Sequence, residues 1–242
     1  MKRQKIRKLI LLISFLFFPI TLYYFSPYLV VVGAAKGIVV GSLIIFTLQL
    51  ITSLFFGRLF CGWICPGGGV QESCKQIVDK RTRGGKLDII KYLIWVPWIS
   101  SIIFLLVKSG PNYQINFLYE TSNGISVYNI QSYITFYGVL TLIVSLAIIG
   151  GRRGFCHYSC WMAPFMIMGN KAREMFKIPS LNLVSDKSKC TGCKQCTKIC
   201  QMSLNVDGMV KVGKMYNSEC IYCFECVDIC KNDVINIKFG KM

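Results

Sequence analysis

The sequence holds one histidine, His157, and only 11 acidic residues against 28 basic ones. No nucleophile–base constellation stands along it, which sets hydrolytic enzymes aside. The stretch Pro66-Gly67-Gly68-Gly69 lacks a lysine at the spacing a phosphate-cradling loop needs, so it reads as a tight turn. Charge is scarce as a whole: 16% of the 242 residues are charged and 53% are hydrophobic, with a mean hydropathy of +0.49. A net charge of +17 would suggest nucleic acid on its own. The basic residues flank long apolar runs, however, so the excess points to a membrane and away from nucleic acid.

Cysteine is abundant, with 13 residues. Eight fall in two runs of identical spacing, C-x2-C-x2-C-x3-C: Cys190, Cys193, Cys196 and Cys200, then Cys220, Cys223, Cys226 and Cys230. In the bacterial-type iron–sulfur pattern, three thiolates of one run and the fourth of the other hold one cluster. That assigns Cys190, Cys193, Cys196 and Cys230 to one [4Fe-4S] cluster, and Cys220, Cys223, Cys226 and Cys200 to a second. Structural zinc also uses C-x2-C pairs, but the third and fourth cysteines, repeated, favour iron–sulfur. Gln201 and Lys231 stand where a proline usually follows the fourth cysteine. The odd count and the metal-type spacing favour reduced thiols facing a cytosol over a disulfide framework.

Apolar runs suggest four transmembrane helices, about 9–32, 37–56, 89–107 and 133–150. The first follows Lys2, Arg3, Lys5, Arg7 and Lys8 and is long for a signal peptide, so it reads as a retained helix. Pro19 and Pro97 sit inside spans, where neighbours can re-satisfy the backbone. Six basic residues lie between Gly57 and Asp88, while the two opposite connections carry only Lys36 and Lys108. Both termini are therefore expected in the cytoplasm, as in a multi-pass protein of the cytoplasmic membrane.

The helix pairs repeat. Arg58-Leu-Phe-Cys61-Gly-Trp-Ile-Cys65-Pro66 follows the first pair, and Arg153-Gly-Phe-Cys156-His-Tyr-Ser-Cys160-Trp161 follows the second, 95 residues later. An i, i+4 spacing places both sulfurs of a pair on one helical face. Joined by the repeat, Cys61, Cys65, Cys156 and Cys160 could form an additional redox or metal site suited to iron, an iron–sulfur cluster, zinc or Cu(I). The plainer alternative is packing as small hydrophobes. Arg58 and Arg153 are expected to lower the pKa of these thiols. His157 has Gly62 as its counterpart and reads as an interfacial residue more readily than as a proton carrier. Trp63 and Trp161 read as membrane-interface anchors, Met162, Met166 and Met168 as gap-fillers or thioether ligands, and Cys74 as a bystander.

Residues 1–178 thus form a membrane domain and 179–242 a small α+β module of the 2[4Fe-4S] ferredoxin type. Within the module, 177–189 reads as a linker, 204–212 as a hairpin with an Asp-Gly turn, and 234–239 as a strand. Short helices are expected beside the fourth cysteines, and the clusters should supply much of the module's stability.

With these motifs the chain resembles the NapH/NosR/CcoG-type membrane iron–sulfur proteins over nearly its whole length, and in size the NapH branch most. Cys61 to Pro66 matches the family's C-x3-C-P motif fully. The second motif matches in Cys156 and Cys160, with Trp161 in place of proline, and no outer flavin domain is visible. The resemblance implies electron transfer between the quinone pool, or a redox protein partner, and two cytoplasmic clusters, as in the electron-transfer subunit of a quinol dehydrogenase. It also brings a second reading, copper or metal reduction for oxidase assembly, and a third, an anchor that only recruits a partner.

Overall fold

The structure, a computed structural model, describes residues 2–110 and 113–241; Pro111 and Asn112 of the outer connection lie outside them. Helices α1 (Lys2–Leu16), α2 (Phe18–Thr21), α3 (Pro27–Ala35), α4 (Gly41–Phe56), α5 (Leu59–Trp63), α6 (Pro66–Cys74), α7 (Ile90–Ser109), α8 (Ile130–Gly150), α9 (Gly154–Tyr158) and α10 (Ala163–Met175) build the apolar part.

Two helical stretches, Leu87–Ser109 and Ile130–Gly150, are long and apolar enough to cross a membrane. Asn129 caps α8 in a reciprocal box: Ser132 N–H donates to Asn129 Oδ1 at 2.8 Å, and Asn129 N–H to Ser132 Oγ at 3.0 Å. Helix α7 continues through Pro97.

The other two expected spans differ from the expectation of four continuous helices. The 9–32 stretch breaks at Phe17, and Lys2–Leu16 and Phe18–Phe25 meet at a 60° bend. Pro19 starts the second piece, and Ser26 Oγ accepts from Leu29 N–H to start a third, with Pro27 at its first position. The 37–56 stretch is a strand, β1 (Ile38–Val40), followed by the 16-residue α4. That helix is about 24 Å long, short of a ~30 Å hydrocarbon core. Strand β1 pairs in parallel with β2 (Gln114–Asn116) of the outer connection.

The duplication is visible as exchanged packing. Helices α4-α5-α6 form one repeat and α8-α9-α10 the other. Helix α4 packs along α10, and α8 packs along α6, so each long helix seats the partner repeat's third helix. Gly169 makes the α4–α10 approach possible, because a Cβ there would lie 2.8 Å from Leu50 O and closer still to Ser53.

The C-terminal module is an antiparallel pair, β3 (Ser180–Ser185) with β4 (Ile235–Gly240), in register Ser180↔Gly240 to Ser185↔Ile235. Helices α11 (Gln195–Ile199), α12 (Val206–Val212) and α13 (Glu225–Asp228) complete it. The strand expected at 234–239 is present within a residue. The linker expected at 177–189 contains strand β3 and, after it, a single helical turn at Lys187–Lys189. The hairpin expected at 204–212 is helix α12: Asn205 Oδ1 accepts from Gly208 N–H, and Thr197 Oγ1 accepts from Asp207 N–H, so two side chains cap its first turn. The short helices α11 and α13 lie inside each cysteine run, before the fourth cysteine.

Candidate functional site

The two cysteine runs share one backbone. φ is positive at Gly192 and Tyr222, at Lys194 and Phe224, and at Ser203 and Asp233, three pairs each 30 residues apart. A left-handed conformation costs a non-glycine residue about 1–2 kcal/mol, and here it recurs at matched places around the second and fourth cysteines. Bends of this kind aim N–H groups at an enclosed anion. The amides of Tyr222 and Glu225 bond to the sulfurs of Cys220 and Cys223, and those of Met202 and Leu204 to that of Cys200.

Cys190, Cys193, Cys196 and Cys230 line one cavity; Cys200, Cys220, Cys223 and Cys226 line another. Among the described residues no three His, Cys, Asp or Glu side chains converge on a point fit for one metal ion. A cubane takes one thiolate at each iron corner, so its ligands stand further apart than the four around a zinc ion. The donor set and its spread suit the cluster. Burial pushes the Cys200 and Cys220 thiols up to about 11 and the Cys223 thiol up to about 12, against the bonds from those amides. Thiols so reluctant to ionise are held as thiolates when iron replaces the proton.

The second set of cysteines meets among the apolar helices of residues 1–178. Cys61 and Cys65 flank the end of α5, and Cys156 and Cys160 the end of α9; all four are buried and line one apolar cavity with Phe18, Leu22, Ile143 and Trp161. Gln71 holds this loop pair together: its Nε2 donates to Cys156 Sγ at 3.2 Å, and its Oε1 accepts from Phe155 N–H at 3.1 Å. Met166 Sδ lies 3.7 Å from Cys61 Sγ. Arg58 and Arg153 do not lower the thiols of Cys61, Cys65 and Cys160 as expected. Burial outweighs both guanidiniums and pushes Cys61 up, Cys65 up to about 12, and Cys160 well up.

Both arginines instead tie the elements together. Arg58 Nη1 donates to Glu219 Oε2 at 2.6 Å, and Lys91 Nζ donates to Glu219 Oε1 at 2.7 Å. Arg153 Nη1 donates to Cys61 O at 2.9 Å, while its Nη2 pairs with Glu72. Glu72 also accepts from Arg7 at 2.6 Å, and Arg7 reaches Glu225 at 2.7 Å. Burial alone would raise the Glu72 carboxyl, but Arg153 and Arg7 outweigh it and hold it below the usual range. Arg58 Nε and Nη2 and Arg153 Nε have no hydrogen-bond partner among the described residues. Buried cationic N–H groups beside four cysteines suit an anionic group seated among them.

The two cysteine sets touch. Trp63 Nε1 donates to Tyr222 O at 3.0 Å, and a Cβ at Gly62 would lie 2.2 Å from Ile221 O. The α5 loop therefore lies against the backbone of the second run. On the other repeat, His157 Nδ1 meets Asp88 Oδ1 at 2.6 Å and its Nε2 meets Met202 O at 3.2 Å, two residues past Cys200. Both repeats thus converge on the cavity of Cys200, Cys220, Cys223 and Cys226. This accounts for the Gly62/His157 asymmetry: one side needs no side chain, the other needs a bridge.

The indole of Trp63 is spent on the module, and Trp161 Nε1 donates to Phe25 O at 2.8 Å, so neither is a free interface anchor. Met162 and Met166 are buried, while Met168 is exposed. Cys74 is buried at the end of α6, apart from both sets. Sequence reasoning missed Arg7, Glu72, Lys91, Glu219 and Glu225. The signal was there: with so few acids in the chain, two within a second cysteine run's seven-residue opening and one on a glycine-rich helix invited a question.

Comparison with known proteins agrees with this site. The family described as "4Fe-4S binding domain" matches residues 38–83 and again 133–178, the two repeats. The "4Fe-4S dicluster domain" matches 189–235. An uncharacterized protein of Methanocaldococcus jannaschii is 27% identical over 91% of this chain and 82% of its own length. The regulatory protein NosR of Pseudomonas aeruginosa is 25% identical over 76% of this chain but only 25% of its own. The ferredoxin-type protein NapH of Haemophilus influenzae is 22% identical over 73% of this chain and 61% of its own. No solved structure matches the chain.

Proposed function

The chain belongs with the NapH/NosR-type iron–sulfur proteins, a membrane protein that carries [4Fe-4S] clusters and transfers electrons, and on that premise we propose that it is a relay linking the membrane's quinone pool, or a redox partner, to a cytoplasmic ferredoxin module. In this reading residues 1–178 are the membrane domain and 179–242 the module. Cys190, Cys193, Cys196 and Cys230 ligate one cluster; Cys220, Cys223, Cys226 and Cys200 ligate the other. Cys61, Cys65, Cys156 and Cys160 hold a third redox centre at the membrane surface. The clusters supply one-electron storage with little atomic movement.

The residues of the chain do the rest. Arg7 and Arg58 lock the module onto the helical part through Glu225 and Glu219, and Arg153 joins the network through Glu72, which Arg7 also pairs with. The apolar cavity beside the four membrane cysteines keeps water from them. The observation that carries the reading is the seating of Gly62 and Trp63 on Ile221 and Tyr222, which puts the loop of Cys61 and Cys65 directly against the backbone of the second run. The basic N-terminus and the 57–88 loop lie with the module, on the cytoplasmic side by the charge rule. Electron paramagnetic resonance on anaerobic membranes tests this. Cubane signals that grow within seconds of adding a reduced menaquinone analogue support the relay. Signals reached by dithionite but never by quinol break the link to the pool.

One observation favours a second reading. Met166 Sδ beside Cys61 Sγ puts a thioether and thiolates together, a donor set that suits Cu(I). In that case the clusters would furnish electrons for copper reduction, and Met166→Leu would abolish copper binding while leaving quinol oxidation unchanged.

A further inference from the structure

The module is electrically polarised. Its acids Glu219, Glu225 and Asp228 all belong to the second run and all point at membrane-domain cations: Arg58 and Lys91, Arg7, and Arg3. The first run has no acid between Lys187 and Asn205, and it carries Lys187, Lys189, Lys194 and Lys198, all exposed. Lys194 and Lys231 line the same cavity as Cys190, Cys193, Cys196 and Cys230. Cys193 is exposed, whereas the cavity of the other set lies under the membrane domain. The acids near this face are largely occupied: Asp207 pairs with Thr197 and Lys211, and Asp186 with Ser188 and Lys189. Asp233, two residues beyond Lys231, is exposed.

We propose that the lysine-rimmed face over Cys193 is the docking surface for a small acidic electron-carrier protein, which exchanges one electron with the cluster of Cys190, Cys193, Cys196 and Cys230. This rests on the electron-transfer reading above and adds the partner's chemistry. Charge complementarity is the argument. Exposed lysines attract an acidic surface from a distance and orient it, and their attraction falls with ionic strength. The exposed cysteine edge marks where the carrier's cofactor comes nearest. In the exchange the carrier loses one electron and the cluster gains it, or the reverse; no bond forms or breaks and no proton moves. The +17 net charge alone does not make this face, because the positive charge of the other run's surroundings is spent on buried pairs.

The test uses the full-length protein with its clusters in nanodiscs and a strongly acidic flavodoxin as the probe. Its Kd is measured at about 20 mM and about 300 mM salt, a range across which surface charge is progressively screened. The expected result is binding that weakens about tenfold with salt and again about tenfold in Lys187→Glu/Lys231→Glu, neither of which lies between ligands of one run. Lys238→Glu, on β4 with the same charge change, should leave Kd unaltered. Iron content and resonance signals of each variant are read in parallel. Intact signals with no binding, or with binding indifferent to the lysine reversals, overturn the docking surface and leave the relay standing; absent cluster signals in the parent protein overturn the relay itself. If anionic nanodisc lipid suppresses carrier binding as strongly as the reversals do, the lysines serve the membrane and the proposal fails.

Discussion

The two cysteine runs have the same spacing and the same left-handed positions, yet opposite surroundings. The first is basic and rimmed by exposed lysines, and among the described residues it meets the helical part only at its C-terminal end, where Arg81 and Arg152 donate to the carbonyls of Thr197 and Lys198; the second lies against the α5 loop and is tied to the helical part by carboxylates, through Glu219, Glu225 and Asp228. The residues after the fourth cysteines show the same contrast. Lys231 is exposed beside Cys230, whereas Gln201 is buried and donates to Glu225 Oε2 at 2.6 Å. The two halves thus differ in what surrounds their cysteines and not in the cysteines: one carries an exposed, lysine-rimmed edge at Cys193, the other lies against the loop of Cys61 and Cys65.

Ligand loss gives the largest expected break in that comparison. Cys193→Ser should remove about half the module's iron and leave the second run on the membrane domain. Cys223→Ser should remove a similar share and also free the module, because Cys223 O accepts from Gln4 Nε2 at 2.9 Å and its run carries all three acids. Iron analysis with limited proteolysis checks this: the module should be released from the Cys223 variant far faster than from the Cys193 variant. Equal release would show that the two halves are equivalent.

Next in size is Glu219→Gln. It leaves Arg58 and Lys91 buried with no carboxylate, and removing one partner of such a group costs about 3–5 kcal/mol. Burial alone would raise the Glu219 carboxyl, but Arg58 and Lys91 hold it below its usual range. Its contribution is therefore complete above the ordinary value of about 4.3 and is lost as pH falls through the lower folded value. Thermal unfolding followed from neutral pH down to about pH 3 should show the parent keeping this contribution until pH drops below about 4.3 and losing it beneath that, with the variant already low and flatter.

A smaller effect is expected at the contact between the sets. Gly62→Ala puts a Cβ against Ile221 O, and the resulting shift costs about 1–3 kcal/mol. The α5 loop should move off the module. Electron exchange between the module and the membrane centre should slow in flash-reduction kinetics while both ferredoxin clusters keep their signals; unchanged kinetics would move the relay elsewhere.

Much of this was legible in the sequence because ligand spacing and duplication are written locally. The C-x2-C-x2-C-x3-C runs, the R-x-F-C-x3-C repeat and the spans at 89–107 and 133–150 needed no tertiary information. The break of the first span did not show in hydropathy, which averages over it, although Ser26-Pro27 is a helix-start signature. At 205–212 the Asp-Gly pair suggested a turn, but Asn205 and Thr197 cap a helix, and Thr197 is ten residues away in sequence. The Glu72, Glu219 and Glu225 pairs join segments 65 to 218 residues apart, so only packing could reveal them. The thiol pKa expectation failed for the same reason: charge was visible in the sequence and burial was not.

The smallest effect bears most directly on whether the two runs share one backbone design. Gly192 has φ +71° and open space for 4 Å around the point where a Cβ would stand, and its counterpart is Tyr222 at φ +49°. One run therefore already carries a full side chain at this left-handed position. Alanine at Gly192 meets no neighbour; it loses about 1–2 kcal/mol to the left-handed conformation and recovers about 0.4–1 kcal/mol from a stiffer unfolded chain. Gly192→Ala should therefore cost about 1 kcal/mol or less, with normal iron content and both cluster signals intact. The reciprocal change, Tyr222→Gly, should cost several times more, since Tyr222 is buried and its hydroxyl accepts from Arg173. If the two changes cost the same, the tyrosine holds no interface, and the asymmetry between the runs lies in their charges alone.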